Sequence, residues 1–234
     1  MSNRTFLAIL IATLVLMTVI LAPVGLLTGA MAGSSRVGMT SARGTVWAGR
    51  MNDVTVAGNP VGDLKVGLSP FSLVTGQMRL SLRRTPLADA RVVLLKGGRA
   101  TGVEGLNLRT PIDLTAAGLP LSGVVGFMDV VGVFRQERCL RAKGRVQFIL
   151  AGDSPLRGAV LSGEPVCRSG VWSATLVGPA ADGKATLAIR IDGKGRYQLE
   201  VMVATANEVM IQGLLGSGFL RDAVGARRTV EGRL

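Results

Sequence analysis

Between Thr5 and Ser35 the chain carries no charged residue, and residues 6–22, FLAILIATLVLMTVILA, are apolar or nearly so throughout. With Pro23-Val24-Gly25-Leu26-Leu27 added, the run exceeds the ~20 residues a helix needs to cross a hydrocarbon core of about 30 Å. A helix packed on a soluble core shows an apolar stripe, whereas this segment is apolar all round. The sequence therefore predicts a transmembrane helix over residues 6–26, a short cytoplasmic tail over 1–5 and a connector over 27–36. Ala30-Met31-Ala32 has the form of a signal-peptidase site and Arg4 supplies a basic n-region. The apolar run is nevertheless longer than the ~7–15 residues of a cleaved leader's core. A retained anchor is the reading, with cleavage after Ala32 as its alternative. Five residues leave nothing to fold ahead of the helix, so the body, residues 37–234, lies on the other side.

Gly is abundant in that body, 32 in the chain, without a collagen-like period and interleaved with Val, Leu, Ala and Thr. Such a mixture reads as short strands joined by tight turns. Gly44-Thr45-Val46-Trp47 and Asp53-Val54-Thr55-Val56 read as strands separated by Ala48-Gly49-Arg50. Residues 63–68 and 77–83 alternate cleanly, with Met78, Leu80 and Leu82 on one face. Further strands are expected at 91–95, 123–134, 144–150, 171–177, 184–191 and 196–203. One polar face per strand argues for antiparallel pairing. The expected class is mainly β: a transmembrane helix followed by an antiparallel, curved sheet with one or two short helices. One helix is read at 69–76, with Ser69 as N-cap, Pro70 at the first position and Gly76 ending it. The other spans residues 207–220, interrupted by Gly213, Gly216 and Gly218.

Val54-Thr55-Val56-Ala57-Gly58-Asn59-Pro60-Val61 aligns with Leu114-Thr115-Ala116-Ala117-Gly118-Leu119-Pro120-Leu121, and Val160–Val166 is a shorter echo. Each is a strand, a small corner with Pro, then another apolar residue. Recurring turn chemistry accounts for this, and two similar halves, 37–110 and 111–234, are the alternative.

Cys139 and Cys167 are the only cysteines, without the C-x-x-C spacing of a redox or metal site. They read as one structural disulfide, with two buried thiols as the alternative. A disulfide requires the periplasm or an equivalent oxidising compartment.

Histidine is absent, and 15 carboxylates show no pairing by spacing. No imidazole is available as a general base, and no His or Cys cluster can hold a transition metal. Gly213-Leu214-Leu215-Gly216-Ser217-Gly218 lacks the spacing of a dinucleotide loop, and Asp182 and Asp192 sit beside glycines as turn residues. No catalytic, cofactor or metal residue is nominated, and the chain reads as a non-enzyme. The net charge of +12 is scattered and aromatics make up 4% of residues, so nucleic acid is not an expected partner. A basic domain beside an anionic membrane surface suits the charge better. Trp47, Phe71 and Trp172 stand out as core or interface anchors, with Trp47 expected to cover one apolar face of the first meander together with Phe71 and Leu73.

The order of these features resembles the type II secretion system protein N family over nearly the whole chain. It comprises a membrane helix, Gly44-Thr45-Val46-Trp47-Ala48-Gly49, the Gly-x-Pro corner, Leu68-Ser69-Pro70-Phe71-Ser72-Leu73-Val74-Thr75-Gly76, the spaced cysteines and Asp192-Gly193-Lys194-Gly195-Arg196-Tyr197-Gln198-Leu199. The resemblance implies a single-pass protein of the bacterial cell inner membrane, with its C-terminal domain in the periplasm. Such a protein contributes to assembly of the protein-export machinery through contacts with other subunits. It carries over no binding residues. A membrane-tethered periplasmic β protein that binds or transfers lipid is the alternative, because a sheet with one apolar face can cradle acyl chains.

Overall fold

The computed structural model describes residues 17, 21–23, 37–56, 59–85, 90–97, 100–115, 118–151, 156–180 and 183–233. The helix expected over 6–26 lies outside these residues, apart from Met17 and residues 21–23. Among the described residues no helix is long and apolar enough to cross a membrane. Met17 is helical and its carbonyl accepts from Leu21 N–H at 2.9 Å. Pro23 has left helical geometry and forms an antiparallel bridge with Thr45. The protein is mainly β and antiparallel, and it divides into two compact units, residues 1–94 and 95–234.

In the first unit, β1 (Val37–Gly38) and β2 (Ser41–Gly44) both pair with β3 (Gly49–Val56). Next, β3 pairs with β4 (Asn59–Leu68), and β4 with β5 (Gln77–Thr85). Period-2 alternation sends Val66 and Leu80 inward, where they meet Met51 and Val54 in a small core. Met78, Leu80 and Leu82 share the inner face as their spacing requires, Leu80 being fully buried.

The segment expected as a strand at 44–47 is instead the turn from β2 to β3, with Trp47 half-buried in it. Between β4 and β5 runs helix α1 (Pro70–Val74), with Ser69 as N-cap and Pro at its start. Its inward side chain is Ser72, whose hydroxyl donates to the Ser69 carbonyl at 2.7 Å. Phe71 and Val74 point away from the core and are 84% and 90% exposed. Phe71 and Leu73, both exposed, therefore do not join Trp47 in covering an apolar face of the first meander. A five-residue helix has one inward face, and Ser72 occupies it.

The division between the units falls within β6 (Arg91–Gly97). In the second unit, β7 (Thr101–Asp113), β8 (Ser122–Arg135) and β9 (Arg138–Ala151) form a meander of long strands. β9 pairs with β10 (Val160–Gly163), while β10 and β11 (Pro165–Arg168) both pair with β12 (Val171–Ala180). The path continues through β13 (Gly183–Ile191) and β14 (Arg196–Thr205). It ends with β16 (Gly225–Arg233) against β14 and the short β15 (Leu220–Asp222) at the edge. Gly118-Leu119-Pro120 lies at the β7–β8 connection and Gly163-Glu164-Pro165 at the β10–β11 connection, whereas Gly58 of the first Gly-x-Pro segment lies outside the described residues.

A line of irregularities crosses β7, β8 and β9. Pairing shifts register between Val103 and Leu106 and between Met128 and Val131. Asp129 sits at φ 50° and Gly144 at φ 101°. A β-carbon at Gly144 would lie 2.5 Å from the Asp129 carbonyl oxygen, so only glycine fits. Asn107 Oδ1 accepts the Asp129 N–H at 2.9 Å, satisfying a donor that the bulge takes out of the ladder. Bulges of this kind bend strands, and this sheet does turn back on itself. A β-carbon on Gly118, in the β7–β8 connection, would lie 3.7 Å from Val230 Cγ2 on β16.

That closed end carries the larger core. Helix α2 (Glu208–Gly216) is capped by Asn207, whose side chain accepts from Met210 N–H. It buries Met210 and Leu214 against Val201, Val203 and Ala226. Leu119, Leu121, Leu150, Leu156 and Leu161 fill the space beside them, each at most 2% exposed.

Candidate functional site

Toward the other end of the second unit the same strands keep their inward apolar faces, but the space between them is not filled. Two hollows lie there, of about 390 Å³ and about 250 Å³. The larger is walled by β7 to β9 on one side and β12 to β14 on the other, through residues such as Phe127, Phe148, Leu187, Ile189 and Leu199. The smaller lies beside β7 and β8, against Val103, Leu106, Gly132 and Phe134. Phe127, Trp172 and Ile191 line both. The side chains lining the larger hollow are carbon apart from the Tyr197 hydroxyl and the Trp172 indole nitrogen, which is spent on the Val131 carbonyl.

Trp172 is the girder between them. It is 7% exposed, and its Nε1–H donates to the Val131 carbonyl at 3.1 Å. Val131 follows the bulge of β8, which β9 and β10 separate from β12 in the strand order. Gly132 gives the ring its room, because a β-carbon there would lie 3.2 Å from Trp172 Nε1. Cys167 stands opposite Trp172 in the β11–β12 pair and is disulfide-bonded to Cys139 of β9, with 5.5 Å between the α-carbons. Covalent bond and indole hydrogen bond thus tie β8, β9, β11 and β12 together at one end of the sheet. The disulfide expected from the cysteine count is present. Trp172 lies in the core, Trp47 is half-buried in a turn and Phe71 is exposed. The three are not brought together in one site.

Three carboxylates are engaged at turns and helix ends. Asp192 Oδ1 accepts from the backbone N–H groups of Lys194 and Arg196, and Oδ2 from Arg196 Nε at 2.7 Å. The Arg196 side chain, followed by those backbone donors, holds the Asp192 carboxyl below the usual carboxylate range. Arg221 grips Glu208 with both terminal nitrogens, at 2.9 and 2.8 Å, and with Gln212 holds that carboxyl low as well. The backbone N–H and then the hydroxyl of Thr115 lower Asp113. Each lowered carboxylate is engaged locally, which favours the charged form. Among the described residues no three His, Cys, Asp or Glu side chains gather in the way a metal ion needs.

A family model described as "Type II secretion system (T2SS), protein N" matches residues 35–229. The chain belongs to that family. The match spans both units, from the approach to β1 into β16. No curated protein and no solved structure matches the chain. Membership of the protein N family marks the chain as a type II secretion component, with a part in protein transport and contact with other subunits of that system. The glycine-interrupted C-terminal segment closes the protein N domain with a helix and a nine-residue strand, β16.

The hollows escaped sequence reasoning. Alternation in β13 and β14 shows which residues point inward, and those residues were legible. Whether opposing faces meet depends on the bulges and on strand order, which leave no local pattern.

Proposed function

We propose that the protein is a non-enzymatic, single-pass component of the bacterial inner membrane whose periplasmic β domain contributes to assembly of the type II secretion machinery. The family match over residues 35–229 carries this reading. The uncharged run before it, from Thr5 to the Ala22–Val46 pairing, approaches the ~17 residues at the short end of membrane-spanning helices and supports a membrane anchor. The Cys139–Cys167 disulfide fits an oxidising compartment for the body.

Pairing in the first unit supports a membrane-proximal position. Val46 N–H donates to the Ala22 carbonyl at 2.9 Å, and the Val46 carbonyl accepts from Leu68 N–H at 2.9 Å. Two strand spacings of ~4.8 Å each therefore separate the end of the apolar run from the chain that enters α1. The exposed Phe71 and Val74 sit beside the place where the anchor leaves the bilayer, as side chains of an interfacial contact do.

Protease added to spheroplasts tests the topology. The body should be digested while the outer membrane is open and the inner membrane is intact. Digestion only after lysis of the inner membrane would place it on the wrong side.

A further inference from the structure

We propose that the apolar groove of the second unit binds one acyl chain of a membrane phospholipid, with the head group left in water at its mouth. The inference adds a ligand to the secretion role and rests on the groove itself.

One end of this unit is filled with apolar side chains, and the other end is left hollow. The hollows, about 390 Å³ and about 250 Å³, share Phe127, Trp172 and Ile191 in their linings, and the size of the larger suits a ligand site rather than a packing defect. Ile112, on the rim of the larger hollow, is 37% exposed, so the groove opens to the surface. Water is a poor occupant, because it needs two or more polar partners and the walls are carbon. A peptide is excluded by the same chemistry. Its N–H and C=O groups require partners, and the strands forming the walls spend their own on one another. An alkyl chain has no such requirement and matches a carbon-lined groove. The chain's net charge of +12 suits a phospholipid with an anionic head.

The full chain, reconstituted in vesicles of phosphatidylethanolamine and phosphatidylglycerol with a trace of phosphatidylglycerol bearing a photoactivatable acyl chain, provides the test. After irradiation, mass spectrometry should find label on peptides from residues 122–135 and 183–191, besides label on the apolar run at 6–26. Leu199→Arg puts an unpaired charge in the wall and should lower the groove label by about tenfold or more. Ile189→Phe fills the larger hollow with carbon and should lower it too, in a chain whose melting shows that it is folded. Label on 6–26 should be unchanged in both variants. Label confined to 6–26 in the parent protein would overturn the groove while leaving the anchor standing. Groove label that persists undiminished in folded Ile189→Phe, or cross-links across the groove to a second copy of the chain, would overturn it equally.

Discussion

The Trp172 indole N–H donates to the Val131 carbonyl at 3.1 Å, linking β12 to β8, strands that β9 and β10 separate in the sheet. The ring is 7% exposed, so the bond is made in an environment where its loss cannot be repaired by water. Trp172→Phe keeps most of the ring and removes the donor. It should cost about 1–3 kcal/mol, the range for a buried acceptor left unpaired. Trp172→Ala should cost about 3–5 kcal/mol through the cavity it opens. Urea unfolding of both variants measures this, and equal stability of parent and Trp172→Phe would show that the hydrogen bond contributes nothing.

The disulfide closes a loop with a sequence separation of 28. In the chain-entropy account, a closure of that length stabilises by about 3–4 kcal/mol. Cys139→Ser and Cys167→Ser should each lose this amount, and the double variant should lose little more. Additive losses would mean that each thiol contributes packing of its own and that the bond matters less.

Two glycines make opposite predictions. A β-carbon on Gly193, in the β13–β14 turn, would lie 2.3 Å from the Glu137 α-carbon of the β8–β9 turn. Gly193→Ala must push these hairpin tips apart and should destabilise by about 1–3 kcal/mol. Gly216, the last residue of α2, has nothing within 4 Å of the same position. Gly216→Ala should be neutral or stabilise by up to about 1 kcal/mol through helix propensity. Thermal melts of the two variants decide the matter.

The strand ladder was largely legible in the sequence, and its exceptions have physical causes. The inward faces of β4 and β5 follow from strict alternation of Leu64, Val66, Met78, Leu80 and Leu82. β7 escaped because Gly102, Gly105 and Pro111 break the pattern and its pairing shifts register near the bulge. β16 escaped because its sequence, GARRTVEGR, offers only Ala226 and Val230 to the core. Trp47 was misplaced for another reason. Val46 is the buried residue there, fixed by Ala22 on one side and Leu68 on the other, and its neighbour swings into the turn. The disulfide was legible from an even cysteine count alone, whereas Phe71 looked like core only because bulky apolar residues usually are.

Phe71→Ala should therefore change stability by no more than about 0.5 kcal/mol, as for other exposed positions. A chain with Trp47→Phe, Trp172→Phe and Phe71→Trp, reconstituted with brominated lipids, should show quenched fluorescence at the interface. Unquenched emission would separate α1 from the bilayer.

Acid should loosen the β13–β14 turn before the core fails. The Asp192 carboxyl is held below its ordinary value of 3.8 by Arg196. A depressed pKa contributes stability that is complete above the unfolded value and is lost as pH falls through the folded one. Asp192→Asn should thus flatten the pH dependence of stability below about pH 4 and leave it unchanged near neutrality. An unaltered acid slope in the variant would remove the turn from this account.

Mild-detergent purification of the tagged full chain from its native membranes, with mass spectrometry of what accompanies it, tests the secretion assignment most directly. The account predicts that other type II secretion subunits co-purify in defined ratio to the chain. Recovery of the chain without any secretion subunit, from cells in which the machinery is assembled, would contradict it.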